Sequence, residues 1–200
     1  MAEILSGGSG VAPAMPLGDR KFGGLAVIEE MSPRGMLMVR GDFADPSIAG
    51  AVRAATGAGM PDALGLSRGD GGIVCWMSPD ELLLILPYDA REAAMQRLCE
   101  TLDGGTYLVA DVSDMRALFR VPGRQARDVL AKLVPIDMSQ EAFGVGTFRR
   151  TRLSQVAAAV WMDDRSDQQA FEVMVMRSHA EYAFAVLRAA AAHGEVDFHR

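Results

Sequence analysis

Few residues of this 200-residue chain have the types and spacing that catalysis or metal binding requires. The three histidines, His179, His193 and His199, all lie near the end of the sequence. Cys75 and Cys99 are too few and too far apart for a zinc cage or a disulfide framework. We therefore predict that this chain holds no metal site and no disulfide.

Motifs for nucleotides and for nucleophilic catalysis are also missing. Gly144-Val145-Gly146 has Arg149 where a dinucleotide-binding loop needs its third glycine. No P-loop, G-x-S-x-G, H-E-x-x-H or C-x-x-C pattern occurs in the sequence. Ser178 precedes His179 at the start of a predicted helix, where a helix cap is favoured over a Ser-His nucleophile. We predict no catalytic and no cofactor-binding residue in this chain.

Three pairs of neighbouring carboxylates could in principle act in acid–base chemistry: Glu29-Glu30, Asp80-Glu81 and Asp163-Asp164. Adjacent residues on a strand point to opposite faces, and carboxylates in turns are mostly solvated. We therefore expect these pairs to be structural rather than catalytic.

The densest basic cluster is Arg149, Arg150 and Arg152 in one predicted strand. The chain has 20 basic and 26 acidic residues, a formal charge of −6, so a nucleic-acid surface is not expected. The cluster better suits an acidic patch on a protein partner. We predict Arg149 and Arg150 as partner-contact residues, with a solvated strand face as the alternative.

Composition places the chain among globular proteins, because 50% of it is hydrophobic and 23% is charged. No apolar run approaches the roughly 20 residues of a membrane span, so no membrane partner is expected. The first residues lack the basic start and apolar core of a secretory signal, and cysteines are few. A cytoplasmic location is therefore expected.

The sequence pattern predicts pairs of strands followed by helices, which is typical of an α+β fold with mixed or antiparallel sheets. Asp45-Pro46 opens a helix that Gly57 or Gly59 ends, and further helices are predicted over 90–102, 124–133 and 180–192. The predicted strands are 25–31, 35–40, 73–77, 81–87, 107–112, 117–121, 148–153, 156–162 and 171–176.

The order of elements repeats along the chain. Val39-Arg40-Gly41 and Val121-Pro122-Gly123 each precede a helix, and Trp76-Met77 and Trp161-Met162 each precede a turn, a strand and a helix. We predict a flexible N-terminal arm over 1–22 and one α+β domain over 23–200. Two pseudo-repeats, about 24–103 and 105–198, make up this domain.

An ordered set of motifs resembles the folate-binding aminomethyltransferase superfamily. Asp111-Val112-Ser113 fits a D-x-S motif, a strand ends at Gly123, and Ala126 and Leu130 fit an A-x-x-x-L helix. Residues 76–84 fit the W-x-x-P-D-E-x-L-L segment of one branch, and 135–138, 151–153, 160–161 and 171–178 continue the likeness. In order and length the set is similar to the gamma-subunit family of heterotetrameric sarcosine oxidases.

The resemblance implies a folate-binding-domain fold of the aminomethyltransferase N-terminal type and partnership with alpha, beta and delta subunits. That complex oxidises sarcosine to glycine, yielding hydrogen peroxide and formaldehyde or methylenetetrahydrofolate. The implied cofactors FAD, FMN, NAD, tetrahydrofolate and zinc lie in the partner subunits. We carry no catalytic residue over to this chain, and the isolated chain is expected to be inactive.

Two alternative functions are compatible with the same fold. One is a gamma-type subunit of an N-methylglutamate dehydrogenase, and the other is a stand-alone folate-binding protein. In a subunit we expect an exposed apolar patch, for which Met36, Met38, Met174 and Met176 are candidates, although core burial explains them equally well.

Overall fold

The computed structural model describes residues 13–163 and 169–192. Within these ranges the four helices are Pro46–Thr56 (α1), Arg91–Thr101 (α2), Ala126–Ala131 (α3) and Ala180–Ala192 (α4). The strands are Lys21–Gly23 (β1), Val27–Glu30 (β2), Arg34–Gly41 (β3), Leu66–Gly69 (β4), Gly72–Ser78 (β5), Glu81–Pro87 (β6), Tyr107–Asp111 (β7), Arg116–Pro122 (β8), Phe148–Leu153 (β9), Val156–Asp163 (β10) and Ala170–Met176 (β11).

The strands form two antiparallel sheets. The first sheet has the order β4-β5-β6-β3-β7, and the second has the order β1-β2-β8-β11-β10-β9. Helices α1 and α2 cover the outer face of the first sheet, and α3 and α4 cover the outer face of the second. The predicted α+β class with antiparallel sheets is confirmed, and the layers run helix, sheet, sheet, helix.

Apart from the short strand β1, each half of the sequence contributes one strand to the other half's sheet. Strand β2 lies beside β8 in the second sheet, with Glu29 opposite Arg120. Strand β7 lies beside β3 in the first sheet, with Ala110 opposite Met38. If β1 is set aside, the orders β4-β5-β6-β3-β7 and β9-β10-β11-β8-β2 correspond strand for strand. Duplication of one unit would produce this correspondence, and the repeat boundaries stay a prediction; residues 193–200 lie outside the described ranges.

Local sequence explains why α1 starts and stops where it does. The Asp45 carboxylate accepts the Ser47 N–H at 2.8 Å, and a proline occupies the first helical turn, where its missing N–H is not needed. Gly57 follows the helix at φ = +73°, a left-handed conformation that favours glycine. The apolar stripe of Ile48, Val52 and Ala55 is buried against the first sheet.

Each sheet has an apolar core beneath its own helices, and a third core fills the space between the two sheets. Phe148 and Trp161 from the second sheet lie with ring centroids 5.7 Å apart and pack among side chains of the first. Met36 and Met174 are buried in this core, so the apolar patch expected from them was wrong and their alternative role as core residues is the observed one. Met38 and Met176 are half-buried.

The described part of the predicted arm, residues 13–22, is held against the body of the protein. The buried Glu30 carboxylate accepts the backbone N–H of Leu17 at 2.8 Å, of Asp19 at 2.9 Å and of Arg20 at 3.3 Å. Gly18 and Asp19 take φ of +73° and +68°, which turns successive N–H groups toward one carboxylate. The arm then continues as β1, which sequence pattern did not predict. Residues 1–12 lie outside the described ranges.

Candidate functional site

The predicted contact residues Arg149 and Arg150 lie on β9, one of the two edge strands of the second sheet. At its start β9 meets the first sheet, because Gly65 pairs with Thr147 in an isolated antiparallel bridge. The Phe148 N–H donates to the Leu64 carbonyl at 3.0 Å, and the Leu66 N–H donates to the Gly146 carbonyl at 2.9 Å. The two arginines therefore lie at a corner where the sheets are joined edge to edge.

Both guanidinium groups bond to the first sheet or its loops. Arg149 Nη1 donates to the Leu64 carbonyl at 2.6 Å and to the Phe148 carbonyl at 3.1 Å. Arg150 Nη1 donates to the Met77 carbonyl at 2.8 Å. A guanidinium carries five N–H donors, so each of these arginines uses a single nitrogen in fixing the corner. The same side chains thus have a structural role as well as donors that can serve a partner.

Two exposed apolar residues belong to the loops at this corner: Leu64, whose carbonyl accepts from Arg149, and Val145, three residues before β9. Leu64 is 47% exposed and Val145 is 57% exposed, and both are among the most exposed large apolar residues in the part of the chain that the structure describes. Leu64 also has φ = +61°, which is uncommon for a residue other than glycine. We name Leu64, Val145, Arg149 and Arg150 the β9 corner.

The sequence pattern singles out the two arginines of the β9 corner but not Leu64 and Val145. A pattern of residue types does not show exposure. The available signal was an apolar residue standing alone between turn formers, as Leu64 does before Gly65 and Val145 does between Gly144 and Gly146.

The two cysteines are held in their thiol form by burial. Cys75 lies on β5 with no exposed surface, and desolvation raises the pKa of its thiol far above the ordinary value. Cys99 lies half-buried on α2, where desolvation and the charge of Glu100 raise its thiol pKa. The thiolate is the nucleophilic form, so these surroundings disfavour cysteine chemistry.

Ser178 and His179 lie just before α4, and the cap role predicted for Ser178 stays a prediction. They lie in a short 3₁₀ turn, Arg177–His179, whose cap residue is Met176 and which has no side-chain cap bond. Ser178 is exposed to solvent. His193 and His199 lie outside the described residues.

The neighbouring carboxylates are engaged in structural contacts. Asp80 accepts from Arg40 Nη2 at 2.5 Å and from the Ser78 hydroxyl at 2.6 Å, and these bonds lower the pKa of its carboxyl group. The buried Asp163 accepts from Arg120 Nε at 3.2 Å. Asp164 lies outside the described residues.

Metal-binding clusters and membrane-spanning helices are both absent from the described ranges. Over 13–163 and 169–192, no three His, Cys, Asp or Glu side chains come together as they would to hold a metal ion. Among the helices of these ranges, none is long and apolar enough to cross a membrane.

Comparison with known sequences identifies a family. Residues 40–193 match the model of the sarcosine oxidase, gamma subunit family. The chain is 32% identical over 134 residues to the sarcosine oxidase subunit gamma of Corynebacterium sp. (strain P-1), which covers 66% of this chain and 64% of that protein. It is 33% identical over 155 residues to the subunit gamma of Arthrobacter sp., covering 76% and 72% respectively. The match to the Corynebacterium relative thus spans less than two thirds of its length.

Solved structures agree with this result. A chain of the heterotetrameric sarcosine oxidase from Corynebacterium sp. U-96, in complex with pyrrole 2-carboxylate, superposes with a TM-score of 0.75 at 28% identity, covering 88% of this chain and 91% of that one. The glycine cleavage system aminomethyltransferase T from Bartonella henselae has a TM-score of 0.59 at 18% identity over 79% of this chain and 44% of that one, which confirms the predicted aminomethyltransferase-type fold. The chain belongs to the sarcosine oxidase gamma subunit family.

Proposed function

We propose that this chain is the non-catalytic gamma subunit of a heterotetrameric sarcosine oxidase. Its alpha, beta and delta partners oxidise sarcosine to glycine, with hydrogen peroxide and formaldehyde or methylenetetrahydrofolate as the other products. The family match over residues 40–193, joined to the superposition on a chain of a solved heterotetramer, is the observation that supports this function. In this proposal FAD, FMN, NAD, tetrahydrofolate and zinc belong to the partner subunits, and the assembly is cytoplasmic.

The β9 corner is the proposed contact surface for a partner subunit. Arginine is enriched at protein–protein interfaces, and exposed apolar side chains contribute hydrophobic free energy when a partner buries them. Arg149 supplies the charge, and the exposed side chains of Leu64 and Val145 supply the apolar area. Its charge suits an acidic patch on the partner, since opposite potentials favour the correct encounter.

Co-expression of the full chain with the three candidate partner chains tests the function. Affinity capture of this chain is expected to yield four different chains, a flavin absorbance spectrum and sarcosine-dependent peroxide formation. Recovery of this chain alone, as a monomer in the presence of all three partners, would overturn the proposal.

A charge introduced at the β9 corner tests the contact surface. Val145→Asp adds no buried group and should weaken subunit association at least about tenfold, because it places an acidic group against an acidic patch. Leu108→Asp is the matched control, since Leu108 is 50% exposed on β7 at the opposite edge of the first sheet. Equal affinities for the two variants would remove the β9 corner from the interface.

Two further measurements separate the alternatives. Activity of the assembled complex with N-methylglutamate, but not with sarcosine, would assign the chain to an N-methylglutamate dehydrogenase. Calorimetric binding of tetrahydrofolate by the isolated chain, without any partner, would favour a stand-alone folate-binding protein.

A further inference from the structure

Strand β7 lies at one edge of the first sheet, and no described strand pairs with its outer side. Its bonds to β3 show which backbone groups lie on that outer side. The Val112 N–H, just after β7, donates to the Met36 carbonyl at 2.9 Å, and the same register continues along both strands. Because bonding sides alternate along an antiparallel ladder, the N–H and C=O groups of Tyr107, Val109 and Asp111 point away from β3. We name these backbone groups the β7 edge.

The corresponding edge of the second sheet is covered by a strand. The Met31 N–H donates to the Leu118 carbonyl, also at 2.9 Å, which mirrors the bond from Val112. Strand β2 thus has the same place in the second sheet as β7 has in the first. On the outer side of β2 lies β1, and the Glu30 N–H donates to the Arg20 carbonyl at 2.9 Å. An extended segment therefore pairs with the backbone groups on β2 that correspond to the β7 edge.

The side chains of β7 leave this edge unprotected. Leu108 is 50% exposed, although it lies in the middle of an edge strand. Residues Tyr107–Asp111 include no lysine and no proline, and their register with β3 has no bulge. Lysine, proline and bulges are the features by which edge strands avoid pairing with other chains. The strand is therefore suited to accept a further strand through its backbone.

The charge around the β7 edge is negative. Residues 98–112 have no basic side chain and three carboxylates: Glu100, Asp103 and Asp111. Desolvation raises the pKa of the Tyr107 hydroxyl, and the negative charge of Asp103 adds to this rise. Arg40, opposite Leu108, and Arg91 each lie within 3.9 Å of two carboxylate groups. A positively charged strand is therefore complementary to this edge, whereas a second copy of β7 would bring like charges together.

We propose that the β7 edge binds an extended, basic segment of a partner protein as a sixth strand of the first sheet. Main-chain bonds to Tyr107, Val109 and Asp111 hold the segment, and its Lys or Arg side chains face the carboxylates around the edge. Strand β1 shows the same chemistry on β2, where Lys21 lies opposite Glu29 and pairs with it at 2.5 Å. The β9 corner lies at the opposite edge of the first sheet, so the two surfaces are separate.

Titration of the full chain with two end-blocked hexapeptides, one of alternating lysine and valine and one of alternating glutamate and valine, tests the β7 edge. Calorimetry is expected to give a Kd below about 1 mM for the lysine peptide and at least about tenfold weaker binding of the glutamate peptide. With the lysine peptide at about ten times its Kd, amide hydrogen exchange should slow about tenfold at Val109 and Asp111. The Glu30 N–H, which already donates to Arg20, should not change.

Two substitutions at one position isolate the effect of charge. Leu108→Lys adds a positive charge beside the edge and Leu108→Asp a negative one, so Leu108→Lys should bind the lysine peptide at least about tenfold more weakly than Leu108→Asp. Circular dichroism checks that both variants are folded. Equal affinities for the two peptides, or of the two variants, would overturn the proposal.

Hydrogen exchange without any peptide provides a further test. The amides of Val109 and Asp111 are expected to exchange faster than those of Leu108 and Ala110, which point toward β3. Slow exchange at Val109 and Asp111 would overturn the proposal, because this chain or a second copy of it would then already cover the edge. These measurements need no partner subunit, so their result stands even if the proposed function fails.

Discussion

Glu30 is predicted to be the group that holds the arm to the domain. It is 5% exposed, and its Oε1 accepts the Leu17 N–H, while Oε2 accepts the N–H groups of Asp19 and Arg20. Glu30→Gln keeps the size of the side chain but replaces one acceptor oxygen by an NH₂ group. That group opposes a backbone N–H, so the substitution converts an attraction into a clash of donors.

The free energy by which Glu30→Gln weakens the attachment of the arm follows from the hydrogen bonds that the substitution removes. A hydrogen bond to a charged group contributes about 1.5–3 kcal/mol, and the 3.3 Å bond from Arg20 is too long to count fully. Gln at position 30 retains one of the two short bonds. The loss is therefore about 2 kcal/mol, which raises the population of the open arm roughly 30-fold, since 1.4 kcal/mol corresponds to a factor of ten.

Trypsin measures this opening directly, because Arg20 and Lys21 lie in the held segment. When opening is fast relative to cleavage, the cleavage rate follows the open population. Mass spectrometry of the early products is expected to show cleavage after Arg20 or Lys21 about 30 times faster in Glu30→Gln. Glu29→Gln is the matched control: Glu29 lies on the opposite face of β2 and pairs with the exposed Lys21 at 2.5 Å.

An exposed ion pair contributes about 0.2–1 kcal/mol, so Glu29→Gln should accelerate cleavage no more than about fivefold. A Glu30→Gln rate equal to the Glu29→Gln rate would refute the reasoning. It would mean that the arm is held by other contacts and that the three N–H bonds add nothing.

The remaining predictions concern packing and pH. A Cβ on Gly69 would lie 2.3 Å from the Ala58 backbone nitrogen, whereas a Cβ on Gly50, within α1, would meet no atom within 4 Å. Urea unfolding should therefore show that Gly69→Ala lowers the free energy of unfolding by about 1–3 kcal/mol. Gly50→Ala should raise it by about 0.5–1 kcal/mol. A stable Gly69→Ala would contradict the close approach of these backbones. Hydrogen bonds from Ser47 lower the pKa of Asp45, so its contribution to stability is present above the unfolded-state pKa and is lost as pH falls through the lower folded-state value. Asp45→Asn keeps the cap without the titration, so its Tm should fall less between about pH 5 and pH 2 than that of the unchanged chain; parallel curves would argue against this origin.

Local signals in the sequence were sufficient for most elements. Strand β6 is observed at the predicted residues, Glu81–Pro87, because five consecutive buried side chains fill both faces of a central strand. Helix α1 starts and ends as predicted, since Asp45 and Gly57 act within one turn of the backbone. These features depend on residues close together in the chain, and residue type is enough to show them.

Long-range pairing was not predictable in the same way. Strand β4 is four residues long and has a single apolar side chain, Leu66, so no period distinguishes it from a loop. The exchange of β2 and β7 between the sheets depends on which strands become neighbours in space. The burial of Glu30 has a similar origin, because its acceptors are satisfied by backbone N–H groups that carry no sequence signal. The charges at Arg149 and Arg150 were evident from residue type, whereas the apolar part of the β9 corner needed the fold.

The exchanged strand β2, the arm and the end of β11 form one connected arrangement. Glu30 ends β2 and accepts from Leu17 and Asp19 of the arm, and Arg177, which follows β11, donates to the Ala14 carbonyl a few residues earlier. The arm is thus held at two points by side chains from two different strands of the second sheet. Glu30→Gln removes one of these points, so amide hydrogen exchange over residues 17–20 should be faster than in Glu29→Gln, because the ion pairs of Glu29 join it to Lys21 and Arg120 instead.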